Sequence, residues 1–154
     1  RLMVIDLDVH QGDATAAIFA GEPRVFTLSV HCGSNFPLRK QQSDVDLALD
    51  DGLGDDAYLE AIGDLIPTLL DQEQPDLVLY NAGVDPHRED RLGRLQLSDQ
   101  GLLNRDRLVL DSCLRRNIPI ATVIGGGYDD LKPLVLRHGL VFRAANEQAR
   151  LHGL

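Results

Sequence analysis

Strand-like apolar runs take turns with helix-periodic segments along these 154 residues, and that alternation constrains the fold more than any other feature of the chain. Leu2–Asp6 (LMVID) opens as a short run of strand formers. Asp13–Ala20 follows with the spacing of a short helix, and Arg24–Val30 (RVFTLSV) reads as a second strand. Val45–Leu49 (VDLAL) alternates apolar and polar, as a half-exposed or edge strand does. Asp55–Leu70 carries Tyr58, Leu59, Ile62, Leu65, Ile66 and Leu69 at helical spacing, which predicts one helix closed by Pro75. Leu77–Tyr80 (LVLY) and Ile118–Ile124 (IPIATVI) read as buried strands. Between them Ser98 is placed to cap a helix running to about Arg116, and a last helix begins at Asp130. Strands alternating with helices imply βαβ units and therefore a mostly parallel sheet with helices packed on it.

In such sheets ligands bind beyond the carboxyl ends of the strands, so the residues just past each strand carry the functional information. Past the first strand comes Asp6-Leu7-Asp8-Val9-His10. If the extended backbone continues, Asp6, Asp8 and His10 share one face while Leu7 and Val9 point into the core. The alternative, a solvated polar face on an edge strand, leaves Gln11-Gly12-Asp13 unexplained. Past Leu77–Tyr80 the backbone can turn at Gly83, and Asp85 then emerges at the same sheet end. Taken alone, an Asp before Pro is ordinarily turn chemistry. Past the last strand comes Gly125-Gly126-Gly127-Tyr128, a run that permits close backbone approach and ends in an aromatic hydroxyl. A glycine run there could instead cradle phosphate, but it lacks the GxGxxG spacing. A parallel sheet delivers Asp8, His10, Asp85 and Tyr128 to one edge. Two carboxylates and an imidazole suit a divalent metal such as zinc, and three protein ligands leave a position open for water and substrate. An all-oxygen magnesium or calcium site does not account for His10.

Charge and composition narrow the partners. The formal net charge is −9, which opposes binding to phosphate backbones and argues against a nucleic-acid partner. No apolar run approaches the roughly 18 residues that span a bilayer, and no signal peptide is visible, so no membrane partner is expected. Cys32 and Cys113 lie far apart without metal-type spacing and read as free thiols of a reducing compartment, which places the protein in the cytoplasm. Without repeats, low-complexity tracts or a linker, residues 1–154 read as one domain.

Four stretches in this order resemble the zinc-dependent histone deacetylases and their bacterial deacetylase-like relatives, most closely the class IV branch: DLDVHQGDAT at Asp6–Thr15, YNAGVD at Tyr80–Asp85, DRLGRLQLS at Asp90–Ser98 and GGGY at Gly125–Tyr128. The resemblance implies a three-layer α/β fold of the arginase/deacetylase type. It implies Asp8, His10 and Asp85 as ligands of one zinc ion, with Tyr128 donating a hydrogen bond to the oxyanion. Asp6 would orient a catalytic histidine and, with Ser29 and the backbone carbonyls of Asp8, His10 and Val30, hold a structural K+ or Na+. Asp13 would orient a second histidine, Phe36 would wall the acyl channel, and Gly126 and Gly127 would line its floor. The implied reaction removes acyl groups, acetyl above all, from an acylated amine such as an acyl-lysine protein or an acetylated small amine.

In that family the general base belongs to a His-His pair upstream of the zinc motif, and this chain opens at a strand with Arg1. The resemblance therefore predicts a partial catalytic domain, truncated at the N-terminus and weak or inactive alone. It also predicts an exposed sheet edge through which copies could associate as a homo-oligomer. Among the other histidines, His31 is expected to be a satisfied pocket-wall residue. Three rival readings stand beside this one. A haloacid-dehalogenase-like phosphatase would use Asp6 and Asp8 as nucleophile and acid with Asp129-Asp130 on magnesium, but its lysine options, Lys40 and Lys132, sit badly. A binuclear manganese ureohydrolase would need more Asp and His ligands. A catalytically incomplete module would bind metal or acylated partners without turnover.

Overall fold

The computed structural model describes residues 1–154. Five strands, β1 (Leu2–Asp6), β2 (Val25–Cys32), β3 (Val45–Leu49), β4 (Leu77–Asn81) and β5 (Ile120–Val123), form one all-parallel sheet in the order β3-β2-β1-β4-β5. Five helices connect or follow them: α1 (Asp13–Phe19), α2 (Asp55–Gly63), α3 (Leu65–Glu73), α4 (Asp99–Leu114) and α5 (Leu131–Leu151). The step from β1 to β2 runs toward one edge, whereas the crossovers from β3 to β4 and from β4 to β5 run toward the other. Right-handed crossovers in opposite directions place their helices on opposite faces. Helix α1 accordingly packs against β2 on one face, and α2 through α5 pack with one another on the other face. The result is the three-layer α/β arrangement of the arginase/deacetylase type, and no helix is long and apolar enough to cross a membrane.

The reversal in strand order lies at β1, the central strand, flanked by β2 and β4. This is the topological switch point at which open parallel sheets form their ligand crevice. Large side chains fill the middle of the sheet: Met3, Ile5, Val78 and Tyr80 are inaccessible and join the side chains of α2, α3 and α4 in one continuous cluster. Register fixes what lies at the crevice. Asp6, the last residue of β1, stands beside Ser29 on β2 and Asn81 on β4.

Most elements fall where the periodicity puts them. Strand β2 runs two residues further, through His31 and Cys32, and β3 is an edge strand whose burial alternates with its sequence. Ser98 caps α4, its Oγ accepting a hydrogen bond from the Gly101 N–H at 3.1 Å. Two expectations are corrected. The single helix predicted over Asp55–Leu70 is two helices, broken at Asp64. Pro67 is the cause: it has no N–H to offer the Gly63 carbonyl, and its ring crowds the preceding turn, so it is accommodated only in the first turn of a new helix. The predicted buried strand at Ile118–Ile124 is shorter and lies at the other sheet edge, with Ala121, Thr122 and Val123 exposed. An apolar run reads the same whether or not something covers it.

Candidate metal centre

Strand β1 ends at Asp6, yet the alternation of its side chains continues through the bends that follow. Leu7 and Val9 are inaccessible and anchor the segment in the core. Backbone bonds to both neighbours hold it: the Leu7 N–H donates to the Asn81 carbonyl at 3.2 Å, and the Val9 carbonyl accepts from the Cys32 N–H at 3.0 Å. Asp8 and His10 are thereby turned toward the crevice. Past β4 the chain turns through Ala82-Gly83-Val84 and delivers Asp85, which is completely buried. Its Oδ1 accepts from the Val9 N–H at 2.8 Å, so the two strand exits are tied through the Asp85 side chain.

The outcome is a cluster in which Asp8, His10 and Asp85 each offer one ligand atom, all within 4.8 Å of one another. His10 Nδ1 lies 3.0 Å from Asp8 Oδ1 and 3.1 Å from Asp85 Oδ2. One imidazole nitrogen facing two carboxylate oxygens is an arrangement that draws a positive charge. Hydrogen bonds from Asp8 and then Asp85 push the His10 imidazole up to about 10, against the effect of burial. Burial pushes Asp85 up to about 6, relieved in part by His10. Burial acts on Asp8 in the same direction, but hydrogen bonds from the His10 side chain and backbone outweigh it and hold Asp8 below the usual carboxylate range. Asp8 is the more open of the two carboxylates. Two oxygens and one nitrogen make a donor set that suits zinc and leaves room for an exchangeable ligand.

The glycine run closes the site from the β5 side. The Gly126 N–H donates to Asp8 Oδ2 at 2.9 Å, and the Gly126 carbonyl accepts from the Val84 N–H at 2.7 Å. A Cβ at Gly126 would fall onto the carboxylate oxygens of both Asp8 and Asp85, so only glycine lets the backbone lie there. Gly127 is likewise confined, by Leu134 and Val84. Tyr128 stands half out of the protein beside the cluster, its ring meeting that of His10 edge-on with centroids 5.7 Å apart. Burial, then the charges of Asp8, Asp85 and Asp90, raises its hydroxyl above the ordinary tyrosine value, which keeps it a proton donor.

The remaining sequence candidates surround this centre at different depths. Asp6 lies directly behind Asp8, its Oδ1 accepting from the Asp8 N–H at 3.1 Å and from Asn81 Nδ2 at 2.9 Å. Burial pushes its carboxyl up to about 7. Ser29 is buried beside Asp6, and its Oγ accepts from the Gly12 N–H at 3.2 Å. Asp13 opens α1, one residue beyond that contact. Phe36 is 66 % exposed on the β2–β3 loop, where its carbonyl accepts from the Gln11 N–H. His31 is buried, its Nδ1 3.1 Å from Ser29 Oγ.

Four residues were not singled out by sequence reasoning. Asp90 lies inside the DRLGRLQLS stretch, and its Oδ2 accepts from the Tyr128 N–H at 2.6 Å while its Oδ1 holds the Leu92 and Gly93 N–H groups. Asn81 braces Asp6. Arg105 and its neighbour Asp106 form a fully buried ion pair under the two strand exits. The last had a signal in the sequence, a charged pair on a helix face otherwise occupied by Leu102 and Val109.

The histone deacetylase domain family matches residues 1–136. An uncharacterized protein of Picosynechococcus sp. is 53 % identical over 148 residues, covering 96 % of this chain and 49 % of the relative. Histone deacetylase 2 of Arabidopsis thaliana is 32 % identical over 131 residues, covering 83 % of this chain and 34 % of the relative. Histone deacetylase B of Dictyostelium discoideum is 32 % identical over 140 residues, covering 83 % of this chain and 32 % of the relative. The chain thus spans about half the length of the first relative and about a third of the other two.

Proposed function

The chain belongs to the histone deacetylase family, and from that premise we propose that it is a partial catalytic domain of a zinc-dependent hydrolase that removes acyl groups from acylated amines. The observation that carries the proposal is the gathering of Asp8, His10 and Asp85 within 4.8 Å at the switch point of the sheet, with the Tyr128 ring against His10. Asp8, His10 and Asp85 hold the metal. Bound zinc supplies polarisation of the acyl carbonyl and acidification of a water molecule. Tyr128 donates its proton toward the oxygen of that carbonyl as negative charge builds on it, an interaction stronger in the transition state than in the substrate. Gly126 and Gly127 leave the floor of the crevice as bare backbone, and the exposed Phe36 ring lines the approach for an acyl chain. Asp6 and Ser29, adjacent in register, hold a monovalent cation with nearby carbonyls. Asp13 orients a histidine. The substrate is an acyl-lysine protein or an acetylated small amine, the subfamily is the class IV branch, and the compartment is the cytoplasm, in keeping with two buried free thiols.

A second reading has an observation in its favour. The reaction needs a proton acceptor, and three of the other four histidines are engaged elsewhere. His31 packs on Ser29, His87 accepts from the Glu89 N–H and faces Asp99, and His152 pairs with Asp111. His138 sits on α5 behind Gly127 with its Nδ1 buried and unpartnered. These residues by themselves support a centre that binds metal or an acylated partner without turnover. The phosphatase alternative loses its magnesium ligand, because the Asp129 carboxylate is held by Arg137. Acetate release from an acetyl-lysine peptide, measured on the whole protein with and without a zinc chelator, tests the proposal. Chelator-sensitive release, cut ~10²-fold in Tyr128→Phe, is the expected result. Zinc binding with no release favours the second reading, and release unchanged in Tyr128→Phe removes that residue from the mechanism.

A further inference from the structure

Under the metal centre lies a buried charge that the proposed chemistry does not use. Arg105, on α4, has no accessible surface. One edge of its guanidinium faces Asp106, with Nε and Nη2 at 2.9 and 2.8 Å from Oδ1. The same Oδ1 accepts from the Tyr80 hydroxyl of β4 at 2.6 Å. The other edge leaves the ion pair altogether. Nη1 donates to the carbonyl of Gly83 at 2.6 Å and to the carbonyl of Leu7 at 3.2 Å. Leu7 is the residue before Asp8, and Gly83 is two before Asp85. A single nitrogen therefore joins the exits of β1 and β4 immediately upstream of the ligands that each exit carries.

Energetics argue that this bridge has a purpose beyond stability. Burying an ion pair costs several kcal/mol of hydration per charge, and an apolar pair of the same volume generally serves a core as well or better. The planar fork does what an apolar pair cannot. It donates in fixed directions within one plane, toward Asp106 on one side and two carbonyls on the other. Gly83 is also where Asp8 presses closest on the β4 exit, since a Cβ there would meet the Asp8 carboxylate. The spacing between the two exits is thus set from below by the guanidinium and from above by the Val9 N–H on Asp85.

We propose that Arg105, braced by Asp106 and Tyr80, is the positioning residue that holds the β1 and β4 exits at the separation the metal ligands require. The inference rests on the reading of Asp8, His10 and Asp85 as a zinc site. Partners outside the ligand shell commonly affect metal affinity by ~10–100-fold. Arg105→Lys keeps the charge but loses the fork, and Arg105→Met/Asp106→Leu replaces the pair with apolar volume. Val109→Ala, one turn further along α4, removes core volume while leaving the guanidinium's bonds to both exits in place and serves as the stability control.

Each protein is measured for denaturant stability, for zinc affinity by competition with a chromogenic chelator, and for the visible spectrum of the Co2+-substituted site. Expected are a zinc affinity at least ~10-fold weaker in both Arg105 variants and a shifted cobalt spectrum, with Val109→Ala unchanged in both respects. The proposal is overturned if the Arg105 variants keep the wild-type affinity and spectrum. It is also overturned if Val109→Ala loses zinc affinity as well and the losses in all variants simply track their losses of stability. Wild-type protein that binds neither ion brings down the zinc reading itself, a result distinct from either of these.

Discussion

The crevice at the ends of β1 and β4 and the outer face formed by β5 and α5 are built on opposite terms. At the crevice, buried polar groups answer one another: Asp6 with Asn81, Asp85 with the Val9 N–H, Asp8 with His10 and the Gly126 N–H, and Arg105 with two carbonyls. On the outer face apolar groups stand largely uncovered: Val123 is 58 % exposed, Phe142 66 % and Leu136 69 %. The first region is closely constrained, as at Gly126, where an added Cβ would fall onto both carboxylates. The second is under-determined within these residues and tolerates change. That contrast points to where function resides, because polar groups are costly to bury and a concentration of mutually bonded ones marks a place whose geometry matters.

The contrast can be broken by substitution. The largest effect is expected for Gly126→Ala, where a single methyl group meets the Asp8 and Asp85 carboxylates. Zinc affinity measured by chelator competition should fall by ~10²-fold or more, given how strongly small displacements around a metal act. Unaltered affinity would mean that the glycine run does not close the site. An intermediate effect is expected in the sheet centre. Ile5→Ala should cost about 2–5 kcal/mol of unfolding free energy, as large-to-small changes in packed cores do, read from urea denaturation. The smallest belongs to the outer face. Val123→Ala should stay within about 0.5 kcal/mol of the parent and leave zinc affinity unchanged. A large loss there would show that β5 depends on contacts beyond those it makes in this fold, and the contrast would need redrawing.

The sequence was legible where local spacing and buried environment say the same thing. Leu7 and Val9 drop into the core and so turn Asp8 and His10 outward, which period-two alternation anticipates even though regular strand ends at Asp6. Asp85 and Gly126 reach the same crevice because a parallel sheet aligns strand exits, a consequence of topology rather than of neighbouring residues. Legibility failed where the deciding partner is remote. Nothing near Arg105 in the chain tells that its guanidinium reaches Leu7, 98 positions away, and Gly83, 22 positions away. Nor does the Asp90 stretch reveal that its carboxylate holds the Tyr128 backbone 38 positions on. The break at Asp64 was present in the letters, as Pro67, but the apolar spacing across it obscured it. The exposure of β5 depends on what packs beside it, which no apolar run encodes.

Whether Asp8, His10 and Asp85 form one metal centre is decided by the metal content of the purified protein and of His10→Ala, read by elemental analysis. About one zinc per chain is expected in the parent and none in the variant, because the substitution removes one of three proposed protein ligands. Zinc absent from the parent, or equally present in both proteins, would contradict the proposed centre.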